Sequence, residues 1–80
     1  MKPEGALKSP VVKRSVVVNG HKTSVSLERE FWNGMKEIAS SRNLTLSDLV
    51  AEIDEDRQQG NLSSALRIHV LEYYQKRSAR

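Results

Sequence analysis

The chain of 80 residues contains no cysteine, which excludes disulfide staples and a thiolate zinc site alike. Long apolar runs are missing too. None approaches the roughly 18 residues of a membrane span, and the first residues lack the apolar stretch of a secretory leader. A cytoplasmic protein with no membrane partner is expected. No Gly-rich phosphate loop, nucleophile–base pairing or clustered acid pair is present, so the sequence gives no sign of an enzyme. His21 and His69 are the only histidines, and no cysteine joins them, so neither metal nor cofactor is expected. Asp54-Glu55-Asp56-Arg57 resembles a calcium loop only in charge, lacking its Gly and its downstream Glu; it reads as a solvated helix end. A chain of this length buries only about 60–65% of the surface its unfolded form exposes. Without staples, oligomerisation is the common remedy for so small a core.

Charge is unevenly spread. Residues 1–26 carry five basic side chains and one acidic, residues 27–60 four basic and eight acidic, and residues 61–80 four basic and one acidic. That pattern suits a protein with one face for polyanions, although basic tails that merely aid solubility would give it as well. Residues 1–12, with two Pro, one Gly and two Lys, read as a flexible basic arm. The folded domain is expected over 13–77, with 78–80 as a tail.

Lys13-Arg14-Ser15-Val16-Val17-Val18 is rich in β-branched residues and reads as a strand. Asn19-Gly20 follows, the pair that a type I′ hairpin turn prefers because both central residues need positive φ. His21 to Leu27 is then the returning strand. A two-residue turn sets Val18 opposite His21, Val16 opposite Thr23 and Arg14 opposite Val25 on one face. On the other, Val17 meets Lys22, Ser15 meets Ser24 and Lys13 meets Ser26. Isolated hairpins are marginal in water, so pairing of Lys22–Leu27 with the same strand of a second copy is expected. Two such strands backed by helices make a ribbon that fits the major groove.

Three helices follow. Phe31, Met35, Ile38 and Ala39 form the apolar stripe of a first helix over about 28–42. Asn43 suits the left-handed position that ends it, and Gly34 inside it implies a close packing contact. Phe31 and Trp32 are adjacent and cannot share a face. Thr45-Leu46-Ser47-Asp48 resembles a capping box that opens a second helix, with Leu46, Leu49, Val50 and Ile53 as its apolar face. Gln58-Gln59-Gly60 ends it. Asn61 caps a third helix whose apolar residues (Leu62, Ala65, Leu66, Ile68, Val70, Leu71, Tyr73, Tyr74) cover more than one stripe, so it is expected to be buried on two sides, the second a dimer interface. Arg67 in this helix either faces solvent or pairs across that interface. Asn43-Leu44-Thr45 and Asn61-Leu62-Ser63 fit the glycosylation pattern but are better explained as caps.

Strand, helix, turn, helix is the element order of the ribbon-helix-helix DNA-binding family. The resemblance sharpens in Arg14-Ser15-Val16-Val17-Val18, in His21-Lys22-Thr23-Ser24-Val25-Ser26-Leu27-Glu28 and in Phe31-Trp32. It continues in Leu49-Val50-Ala51-Glu52-Ile53-Asp54 and Asn61-Leu62-Ser63-Ser64-Ala65-Leu66-Arg67. These blocks, spread over residues 13–75, are similar to a bacterial subgroup of predicted DNA-binding proteins with an extra C-terminal helix. The resemblance implies an α+β, mainly α fold: a hairpin of Val16–Val18 and Lys22–Leu27, three helices and an intertwined homodimer, with a tetramer as the alternative assembly. It further implies that DNA is the partner and transcriptional regulation, as a repressor, the role. Matched to the motif, Lys22, Ser24 and Ser26 read base edges while Thr23, Val25 and Leu27 face the helices. Lys can donate to guanine, and a Ser hydroxyl can donate or accept at several bases. The family's phosphate anchor falls on the amides of Leu46 and Ser47, with the hydroxyls of Thr45 and Ser47 beside them; Lys13 and Arg14 are further candidate phosphate contacts.

Two matters stay open. Four strands at about 4.8 Å spacing span roughly 14 Å, whereas the major groove is about 12 Å wide. The first strand therefore peels away or pairs elsewhere, or the protein meets DNA in another way, or not at all. The second is function: a protein-interaction module, antitoxin-like or an adaptor, would keep the fold without the DNA role.

Overall fold

The computed structural model describes residues 10–56 and 60–78. Two strands, β1 (Val11–Val18) and β2 (His21–Glu28), are followed by three helices, α1 (Arg29–Ser41), α2 (Leu46–Asp56) and α3 (Leu62–Ser78). Residues 1–9 of the expected basic arm, the Gln58-Gln59 helix end and residues 79–80 of the tail lie outside the described residues.

The strands pair antiparallel, with Val18 opposite His21, Ser15 opposite Ser24 and Val11 opposite Glu28. Asn19 and Gly20 turn the chain at φ of 52° and 82°, the two positive values that a type I′ turn demands. β1 starts at Val11, two residues ahead of expectation, because Val11 and Val12 find partners in Glu28 and Leu27. Side chains alternate across a strand. One hairpin face therefore carries Val16, Val18, Val25 and Leu27 into the core, and the other turns Lys13, Ser15, Val17, Lys22 and Ser24 to the outside.

The core is closed within a single chain. Leu27, Met35, Ile38, Leu49 and Leu66 are fully buried together, each contributing about 1.5–3 kcal/mol relative to an exposed position. α2 lies under β1, and α3 packs against α1, α2 and β2. Gly34 lies where α1 packs tightly on α3: a Cβ there would lie 2.8 Å from Val70 Cγ1. Tyr74 of α3 donates its hydroxyl to the Glu37 carboxylate of α1, a bond that pushes the phenol up to about 12.

The helix ends follow the local chemistry of the sequence. Asn43 takes φ 58°; Leu44 N–H then reaches Ala39 C=O at 2.9 Å and Asn43 N–H reaches Ser40 C=O at 3.2 Å, the paired bonds of a Schellman motif. At α2, Asp48 N–H donates to Thr45 Oγ1 at 3.0 Å while Thr45 N–H points at the Asp48 carboxylate at 3.5 Å, a capping box in which Asp stands for Glu. Asn61 caps α3 through Ser64 N–H at 2.7 Å.

The start of α1 falls within one residue of expectation. Glu28 occupies its N-cap position, extended and without a side-chain cap bond. Its carboxylate is engaged elsewhere, accepting from Arg67 Nε at 2.9 Å. Arg67 thus ties α3 to the end of β2 within the chain.

Candidate nucleic-acid interface

Backbone geometry decides what the outer hairpin face can meet. Ser26 N–H donates to Ser63 Oγ at 2.8 Å, and Ser26 C=O accepts from Arg67 Nη2 at 3.1 Å. Both Ser26 backbone groups therefore point away from β1, and so, by alternation, do those of Ser24 and Lys22. α3 covers this edge of β2 at Ser26. The Arg67 guanidinium spans Ser26 and Glu28, and its bond holds the Glu28 carboxyl below the usual carboxylate range.

On the face itself, Lys22 and Ser24 are exposed and Ser26 is half-buried. Lys13 and Ser15 stand beside them on β1, opposite Ser26 and Ser24, and Val17 stands opposite Lys22. Residues 13–26 include no acidic side chain, so the face is cationic and hydroxyl-lined. Acidic groups gather instead between α2 and α3, where Glu52, Glu55, Asp56 and Glu72 line a groove with Ile68 and His69. Glu52 in turn holds Arg42 in a two-pronged pair at 2.9 and 3.1 Å.

Arg14 is not brought to the outer face with Lys13. Its guanidinium lies 4.7 Å from the centre of the Trp32 ring, on the helix side of β1, a stacking worth about 0.5–1 kcal/mol. At the start of α2, Leu46 and Ser47 are half-buried and Thr45 is exposed. The Thr45 hydroxyl is already committed to the cap, and the Asp48 carboxylate shares the first turn. The β2 trio and the α2 terminus belong to separate elements, and Lys13 joins the trio through the strand register.

Nothing local in the sequence signals that the Ser63 hydroxyl reaches a strand 37 residues earlier. Ser15 and Val17 share the face of Lys22, Ser24 and Ser26 as the two-residue Asn19-Gly20 turn implies.

A sequence profile described as a ribbon-helix-helix domain matches residues 11–74. Among solved structures, the chain is similar to an uncharacterized protein from Bordetella pertussis Tohama I. The two share 27% identity at a TM-score of 0.74, over 95% of this chain and 69% of that one. A comparison with curated proteins returns no match. Among the described residues, no helix is long and apolar enough to cross a membrane.

Proposed function

The chain belongs to the ribbon-helix-helix family, generally one of DNA-binding regulators, and from that membership we propose that it binds DNA as a small transcriptional repressor. The observation that carries the proposal is the outer hairpin face: Lys13, Lys22 and Ser24 are exposed together, with no carboxylate between residues 13 and 26. Such a surface attracts the phosphate backbone. Its lysines and hydroxyls can then reach base edges in the major groove, where Lys22, Ser24 and Ser26 are the reading residues on β2. The amides of Leu46 and Ser47 are proposed as a phosphate anchor.

The proposal includes a homodimer. On α3, Ile68 and Leu71 remain 55% and 51% exposed, and they supply the second apolar side that its sequence pattern requires. A protein that binds a protein partner through this apolar side, with no DNA role, is the competing reading.

The test is a salt titration of fluorescence anisotropy on random-sequence duplex DNA, with sedimentation to count subunits. Log affinity should fall linearly with log salt, by about 0.9 for each phosphate neutralised. Lys22→Ala should cost about 1–3 kcal/mol on a selected site and relax specificity there. Protein that ignores DNA even at low salt would overturn the proposal and favour the protein-partner reading.

A further inference from the structure

α3 leaves one face uncovered along its whole length. Ser64, Ile68, Leu71, Gln75 and Ser78 recur at alternating steps of four and three, and all are exposed. That spacing, about 3.5 residues on average, is the seam of a helix paired with another helix. The apolar pair Ile68 and Leu71 stands in the middle of the seam, with polar residues toward both ends. Leu66 and Val70 hold the opposite side of the helix in the core.

Charge is divided along the same helix. Beside its first half, Glu55 and Asp56 at the end of α2 line the groove with Ser64, Ile68 and Glu72. Its last turn carries Lys76 and Arg77. Lys76 follows Glu72 by four residues and therefore stands on the groove's flank of the helix. Arg77 lies over Tyr73 instead, its guanidinium 5.5 Å from the ring centre.

We infer that α3 pairs antiparallel with α3 of a second copy, the two-fold axis passing between Ile68 and Leu71. The inference rests on the self-association proposed above and names its contact. Each Ile68 packs on Leu71 of the second copy, and each Ser64 meets Gln75. Lys76 stands roughly 10 Å along the helix from the axis, at about 1.5 Å per residue. It thus reaches the end of the second copy's groove, where Asp56 and Glu55 supply the opposite charge. A parallel pairing would bring the two basic ends together. Ser63 and Arg67, which meet β2, are not part of the seam, so this contact adds to any pairing of strands between copies.

Sedimentation of the full chain without DNA tests the contact in Ile68→Ser, in Lys76→Glu and in Lys76→Glu combined with Asp56→Lys. All three positions are exposed, and melting curves verify that each variant folds. Ile68→Ser should halve the mass of the largest species. Lys76→Glu should weaken the same step about tenfold, because two symmetric pairs turn repulsive. Adding Asp56→Lys should recover most of that loss. An Ile68→Ser protein that keeps the wild-type mass would overturn the α3 contact while leaving self-association in place. Loss without recovery in the combined variant would overturn the antiparallel register. A wild-type chain that stays monomeric would remove the proposed homodimer and this contact together.

Discussion

Gly34 shows how little room the α1–α3 contact leaves. An alanine there gains about 1 kcal/mol of helix propensity but drives its Cβ to 2.8 Å from Val70 Cγ1. Val70 is buried and β-branched, with few alternative rotamers, so helix and neighbour must part. Overpacking of this kind costs about 1–3 kcal/mol. Gly34→Ala is therefore expected to lower stability by about 1 kcal/mol in urea denaturation, and a stabilised variant would contradict the close contact. Glu28 gives a second test at the same scale. Its folded-state pKa is lowered chiefly by the bond from Arg67, and that of Glu52 chiefly by the bond from Arg42. A depressed carboxylate adds stability that is present above its ordinary value of 4.5 and is lost as pH falls through the folded value. Melting temperature should thus decline on acidification below that value, and Glu28→Gln should shallow the decline. An unchanged acid limb in the variant would mean that the Arg67 bond carries no net stability.

Elements were legible in proportion to how local their causes are. Asn19-Gly20 names its own turn, Asn43 its own left-handed cap, and Thr45 with Asp48 their own box; each needs only residues within one turn of chain, and each forms as the sequence implies. Glu28, at the start of the first helix, is different. Its outcome was decided 39 residues later by Arg67, and no periodicity reports a contact of that range. The candidate site divides in the same way. The outward alternation of Lys22, Ser24 and Ser26 follows from strand period, and their partnership with Lys13 and Ser15 from the two-residue Asn19-Gly20 turn, whereas the tie of Ser26 to Ser63 and Arg67 comes from residues 37 and 41 positions away. At α2, one substitution tests the proposed phosphate anchor. Asp48→Asn keeps an acceptor for the Thr45 N–H but removes the charge from the first turn, costing about 0.3–1 kcal/mol of helix stability. Affinity for random duplex at low salt should rise if a phosphate sits on the Leu46 and Ser47 amides. Unchanged affinity would remove that anchor and leave the hairpin face as the contact surface.

For the molecule as a whole, the third helix and the first strand alter how a ribbon-helix-helix core is finished. β1 gives β2 an antiparallel neighbour from the same chain, and α3 covers the helices and the far edge of the sheet at Ser26. The fully buried set of Leu27, Met35, Ile38, Leu49 and Leu66 is gathered from the hairpin and all three helices. The exposed Ile68 and Leu71 lie on α3, away from the hairpin's outer face, so an assembly of two copies through them would leave that face open.

The tight Asn19-Gly20 turn has a consequence in time and in dilution. A ribbon built from two chains must wait for an encounter, so it forms more slowly as protein becomes scarce and comes apart at low abundance. A hairpin joined by two residues closes within its own chain, on a scale of about 1–10 μs for such an element. Refolding followed by Trp32 fluorescence should accordingly give one rate across a hundredfold range of protein concentration. A rate that rises with concentration would mean that a second chain is needed to complete the core. If the rate is constant, a cell holding only a few copies of this protein would still hold them with the outer hairpin face already assembled.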